Sequence, residues 1–214
     1  TGCKVFAHGV ESAFAAYPSL EPAFLYGGYP PKDLRRKFLV AQESRVSPLS
    51  DPDFPREIQA VPLPGHCFSQ VGFRTPDGVV FLADCVASPA TLEKYALTFL
   101  YDVAAYRETL DRVEAMEAAL FVPAHADACA DAGELVRINR KKVEQAAELL
   151  TALCREPSSF ETILQRVFRH FGLSMSFEQY ALVGSTVRSY LAFLRDSGRL
   201  EPVFREERLL WLAV

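Results

Sequence analysis

No stretch of this 214-residue chain approaches the roughly 20 consecutive apolar residues that a membrane-spanning helix requires. The opening residues, Thr1-Gly2-Cys3-Lys4, carry no apolar segment of the kind that marks a secretory signal. Thr1 is also no initiator methionine, so upstream residues are expected to have been lost or removed. An excess of basic charge is missing too. The formal net charge is -4, which leaves no electrostatic footprint for binding nucleic acid over a broad surface. The five cysteines, Cys3, Cys67, Cys85, Cys129 and Cys154, lack any C-x-x-C spacing. An odd, scattered set implies reduced thiols in a cytoplasmic protein and excludes a disulfide scaffold. No internal repeat or low-complexity tract is present.

What remains is an ordinary soluble composition, 50% hydrophobic and 23% charged, which argues against disorder. The length allows one large domain, or a domain of about 130 residues with a small appendage.

Hydrophobic patterning divides the chain. Cys3 to His8 reads as a short strand, followed by a helix that Pro18 ends. Tyr26-Gly27-Gly28-Tyr29-Pro30-Pro31 must be a loop, because paired glycines and paired prolines both break regular structure. Asp33 to Ala41 is expected to be helical, and Ser47 to Pro55 an exposed connection. From Ile58 the pattern turns to strands: Ile58 to Leu63, Gln70 to Thr75 and Val79 to Ala83, the last two joined as a hairpin by Pro76-Asp77-Gly78. Tyr101 to Ala119 is a helix by its apolar spacing and Leu120 to Pro123 a further strand. Alternating helices and strands place the chain in the α/β or α+β class.

Beyond His125 the pattern becomes helical. Glu134 to Cys154 forms one long helix, Ser158-x-x-Glu161 is a capping box opening a second that Gly172 ends, and Phe177 to Asp196 is a third. Leu200 to Phe204 and Leu209 to Ala213 flank Arg205-Glu206-Glu207-Arg208 as a hairpin. Helices followed by a β-hairpin outline a winged helix, so the expected division is residues 1–133 and 134–214.

Three short stretches carry the chemistry: Leu63-Pro64-Gly65-His66, Phe81-Leu82-Ala83-Asp84 and Phe121-Val122-Pro123-Ala124-His125. Each sets a metal-ligand residue after an apolar run. Strand ends suit this role, because a sheet fixes the backbone while the adjoining loop aims the side chain. Asp84 is suited to bridge two metals, since its carboxylate has two oxygens and a charge that offsets cation repulsion.

With these motifs in that order, the chain resembles the metallo-β-lactamase superfamily, specifically its hydrolases with a small C-terminal winged helix. The resemblance extends through Asp77-Gly78-Val79-Val80-Phe81 and through Asn139-Arg140 after the last histidine. It implies a partial αββα sandwich followed by a small winged-helix domain. It also implies that His66, Asp84 and His125 are metal ligands, with Asp84 the bridging, catalytic carboxylate. Two divalent ions, Zn, Mn or Fe, are expected in the full-length protein, where water attacks an ester, thioester, amide or phosphoester bond. The chain departs from the family in lacking His-x-His-x-Asp-His, so an N-terminally truncated piece with three of the seven usual ligands is expected. Such a piece should bind no ion or one weakly and be inactive. The rival reading is a binding or assembly module without catalysis, and a third is nucleic-acid processing.

Other candidates carry less. His8 and His170 read as structural, the latter near a helix C-terminus where a partly cationic ring favours the dipole. Cys67 and Cys85 follow two of the proposed ligands, where small-residue packing is the simpler role. The tail carries Arg188, Arg195 and Arg199 but no lysine after Lys142, so nucleic acid is a poor partner. Expected partners are a small-molecule substrate and further copies of the chain, since sheet edges without their covering segment self-associate. The substrate would be selected by the segments Tyr17 to Pro55 and Ser88 to Tyr101.

Overall fold

The computed structural model describes residues 2–37 and 39–214. In the N-terminal region the expected strand shrinks to β1 (Phe6–Ala7), paired in parallel with β2 (Ser47–Pro48) inside the segment read as a loop. Two helices follow β1, α1 (Glu11–Ala16) and α2 (Leu20–Tyr26), with Pro18 between them. The second falls in the segment from Tyr17 to Pro55, where no helix was expected before Asp33, and it holds Pro22 in its first turn. A proline in the first turn removes only an N–H that has no helical partner, so the helix tolerates it. Gly27, at φ 79°, then ends the helix in the left-handed conformation. The expected helix from Asp33 to Ala41 is only a 3-10 turn at Lys32–Leu34; Phe38 lies outside the described residues.

A four-stranded sheet positions the motifs: β3 (Gln59–Pro62), β4 (Val71–Arg74), β5 (Val79–Ala87) and β6 (Leu120–His125), in that spatial order. β3, β4 and β5 are antiparallel neighbours, and the hairpin turn at Pro76-Asp77-Gly78 forms with Gly78 at φ 84°. β5 and β6 run parallel, which demands a crossover. That crossover contains α3 (Pro89–Lys94) and α4 (Val103–Glu114). α3 was read as loop; Ser88 accepts a hydrogen bond from the Thr91 N–H and Pro89 starts the first turn, a compact start signal in a short helix.

The C-terminal part holds α5 (Gly133–Leu153), α6 (Phe160–Phe171), α7 (Phe177–Asp196) and the antiparallel pair β7 (Leu200–Arg205) and β8 (Arg208–Ala213). The cap of α6 is Ser159, whose hydroxyl accepts from the Thr162 N–H; Ser158, the expected cap, is buried and pairs its backbone with Trp211. Leu63, Val80 and Leu82 of the sheet region share one continuous buried core with Leu110 of α4, Leu150 of α5 and Leu191 of α7. The other face of the sheet is different: Phe81, 45% exposed, points away from that core.

Candidate metal centre

The loop between β3 and β4 carries His66. Gly65 precedes it at φ 118°, a conformation that side chains avoid. Its carbonyl accepts hydrogen bonds from the Tyr101 and Asp102 N–H groups at 2.9 and 3.0 Å, and the Thr109 hydroxyl donates to the Pro64 carbonyl at 2.7 Å. The Pro-Gly-His segment is thereby strapped to the start of α4.

Asp84 lies inside β5, not beyond its end, because the strand continues to Ala87. Ala83 before it adopts φ 48°, and the register with β6 slips between Phe81 and Ala83 and again between Ala83 and Ala87. This irregularity breaks the alternation of the strand and re-aims the carboxylate. A left-handed alanine costs about 1 kcal/mol and persists only where surrounding structure fixes it. His125 is the last residue of β6; its carbonyl accepts from the Ser88 N–H at 2.9 Å and the Thr91 hydroxyl at 3.3 Å.

The three side chains meet. His125 Nε2 lies 3.2 Å from Asp84 Oδ1, and His66 Nε2 lies 3.8 Å from Asp84 Oδ2. His66 Nδ1 lies 3.0 Å from the Phe99 carbonyl oxygen, which can only accept, so the proton belongs on Nδ1 and the lone pair on Nε2 faces the carboxylate. Burial holds the His66 pKa below its ordinary value, against the raising effects of Asp84 and of the Phe99 carbonyl and with a further lowering from His125. The neutral ring is the form that can ligate a metal.

Two nitrogen donors on opposite oxygens of one carboxylate form two pairs, not one triad. Among the described residues, no group of three His, Cys, Asp or Glu side chains stands close enough to hold one ion. The donor chemistry therefore fits a bridging carboxylate with one imidazole on each side, and it falls short of the three or four protein ligands of a tight site.

The three donors line a pocket of about 310 Å³ that also receives Tyr95, Phe99, Tyr106 and, from α7, Gln179, Val183 and Thr186. The C-terminal helices thus form one wall. Asn139, within the Asn-Arg pair noted in the sequence, is buried in α5 and hydrogen bonds both backbone groups of Ala87. Arg140 ties α5 to α4 through Asp111 and Glu114 at 2.8 and 2.7 Å. Cys85 is fully buried, and burial pushes its thiol up to about 12, so it packs as a small apolar group. Cys67 is half-buried, its thiol also pushed up to about 12 by burial and by Glu11, Asp84 and Glu21. His8 and His170 are exposed, and neither reaches the pocket. Tyr95 and Phe99 lie in the segment from Ser88 to Tyr101 expected to shape the pocket, whereas sequence reasoning missed Tyr106 and the α7 residues, since no local signal marks a residue that enters a site through packing.

No protein-family model matches this sequence, and no curated protein does. Solved structures resemble it in three dimensions. One is a metallo-beta-lactamase family protein from Thermus thermophilus, with a TM-score of 0.70 and 17% identity over 100% of this chain and 72% of that one. Another is a beta-lactamase domain protein from Burkholderia ambifaria, with a TM-score of 0.64 and 18% identity over 99% of this chain and 65% of that one. The chain therefore has the mixed α/β fold of metallo-β-lactamase-type proteins and spans roughly two thirds of the length of these neighbours.

Proposed function

We propose that this chain contributes part of a dinuclear metal centre to a hydrolase, with His66, Asp84 and His125 as its ligands. The observation that carries the reading is the placement of two imidazole Nε2 atoms against the two oxygens of Asp84. Asp84 would bridge, the Phe99 carbonyl would hold His66 in the ligating tautomer, and the α3 start would fix His125. Divalent zinc, manganese or iron held there would supply a Lewis acid and an acidified water for attack on an ester, thioester, amide or phosphoester bond.

The chain's own residues perform the supporting work. The wall from α7 excludes solvent from one side, and the half-buried Phe99 and the buried Tyr106 give the pocket apolar surface beside the donors. In this reading residues 134–214 act as a winged-helix-like cover of the pocket, not as a nucleic-acid reader. The protein is cytoplasmic, takes a small-molecule substrate and assembles with further copies of itself. Among the described residues, no helix is long and apolar enough to cross a membrane.

Among the described residues each ion position has two side-chain donors, fewer than a tight site uses, so weak binding is expected of this chain. The 214-residue chain alone is then inactive. A binding or assembly module is the alternative that the same donor count favours. Titrating the chain with zinc by calorimetry tests the ligand assignment: weak binding that Asp84→Asn or His125→Ala abolishes is expected. Two tightly bound ions would overturn the half-site reading, and binding indifferent to both substitutions would remove the metal centre. Metal content and hydrolysis by the polypeptide extended upstream then separate enzyme from module.

A further inference from the structure

A second pocket, of about 210 Å³, adjoins the metal centre, since Phe99 and Leu182 line both. Its walls are Phe14, Phe24, Phe68 and Tyr101, with Glu11 and Glu21 beside them. The rings come from α1, from α2, from the loop after His66 and from the segment before α4. They stand close together: Phe68 and Tyr101 at 3.9 Å between centroids, Phe24 and Phe68 at 5.0 Å, Phe14 and Phe68 at 5.4 Å, and Phe24 and Tyr101 at 5.6 Å. All four are half-buried and none belongs to the closed core, so each keeps surface open to the cavity.

The charge in this pocket is of one sign. Among the described residues, no lysine, arginine or histidine lines it. Glu11 is held in place, accepting hydrogen bonds from the Ser69 N–H at 2.8 Å and from the Ser69 hydroxyl. Glu21 is half-buried and has no hydrogen bond or ion pair among the described residues. Burial raises its pKa, the sign of a carboxylate that has lost water without gaining a counter-charge.

Aromatic faces carry negative potential and attract cations, most strongly where water is excluded. Two carboxylates beside four rings reject anions and leave a purely apolar guest with unpaired charge around it. We propose that this pocket binds a small organic ammonium group, seated against the rings of Phe24 and Phe68 and neutralised by Glu21. The assignment stands apart from the hydrolase reading, because it concerns binding in a cavity that contains none of the three proposed ligands.

The test uses the 214-residue chain and two probes of the same shape, choline and its neutral isostere 3,3-dimethylbutan-1-ol, titrated by NMR chemical-shift changes. Choline is expected to bind at least about fivefold more tightly than the alcohol. Glu21→Gln should reduce that preference without lowering the thermal midpoint, since it removes a carboxylate that burial disfavours. Phe24→Leu, which keeps apolar bulk and removes a π face, should weaken choline and not the alcohol. Equal affinity for the two probes, no choline binding at tens of millimolar, or a preference that survives both substitutions would overturn the proposal.

Discussion

Asn139 and Ala87 exchange two hydrogen bonds: the Ala87 N–H donates to Asn139 Oδ1 at 3.1 Å, and Asn139 Nδ2 donates to the Ala87 carbonyl at 2.8 Å. A buried side-chain amide thus takes the place of a neighbouring strand at the end of β5. The same amide donates to the Leu135 carbonyl and accepts from the Tyr106 hydroxyl at 3.4 Å. One residue of α5 therefore anchors the strand that carries Asp84 and lies beside His125.

Replacing Asn139 with alanine strands both backbone groups of Ala87 in a buried position. A loss of about 2 to 3 kcal/mol is expected, from the cost of unsatisfied buried polar groups. Urea denaturation measures it, and a midpoint within error of the parent would show that water or rearrangement replaces the amide.

Gly65→Ala should be at least as damaging, for a steric reason. An added Cβ would run into the backbone nitrogen and Cα of Tyr106, and φ 118° is strained for any side chain. Because the obstacle is backbone at the start of α4, it cannot swing aside. Destabilisation of about 2 kcal/mol or more is expected, together with displaced His66 ring resonances in NMR. An unchanged His66 environment would contradict the strapping described above.

The uncovered sheet face should drive self-association. Phe73 and Phe81 are cross-strand partners, and Val122 is the partner of Phe81 on β6, so a stripe of apolar side chains crosses three strands on that side. Together with Ala83 and Ala124 they line a shallow cleft. Phe81→Lys places a charge at its centre without touching the buried core and should shift sedimentation velocity profiles toward monomer. Profiles that are monomeric in the parent, or unaltered by the change, would remove this face as the contact.

Glu206 and Glu207 form the two-residue turn between β7 and β8, both left-handed at φ 49° and 60°. Such a turn favours Asn-Gly, which adopts these angles with little strain. Exchanging the pair for Asn-Gly should stabilise the chain by about 1 kcal/mol, read as a raised thermal midpoint. A lowered midpoint would mean that the glutamates contribute something the backbone argument omits.

Long elements were legible because they repeat their signal. The period of α5 and α7 emerges from many turns of apolar spacing, and Gly172 stops α6 where a left-handed residue was needed. Short elements were not. α2 and α3 hold seven and six residues, too few for a period to rise above local noise. At α6 the capping-box spelling pointed to Ser158, but tertiary pairing with Trp211 took that residue, and Ser159 became the cap.

By itself the sequence determined which donors are available: two imidazoles and a carboxylate, each attached to an apolar strand, and no further cluster to complement them. Side-chain chemistry and strand patterning are local properties, so residue order alone carries them. Only the tertiary structure decided that Asp84 stands between His66 and His125, that Phe99 sets the tautomer of His66, and that α7 closes the pocket. Those relations depend on an irregular strand around Ala83, a parallel crossover and packing between segments as distant in sequence as His66 and Thr186, and no local pattern encodes such distances.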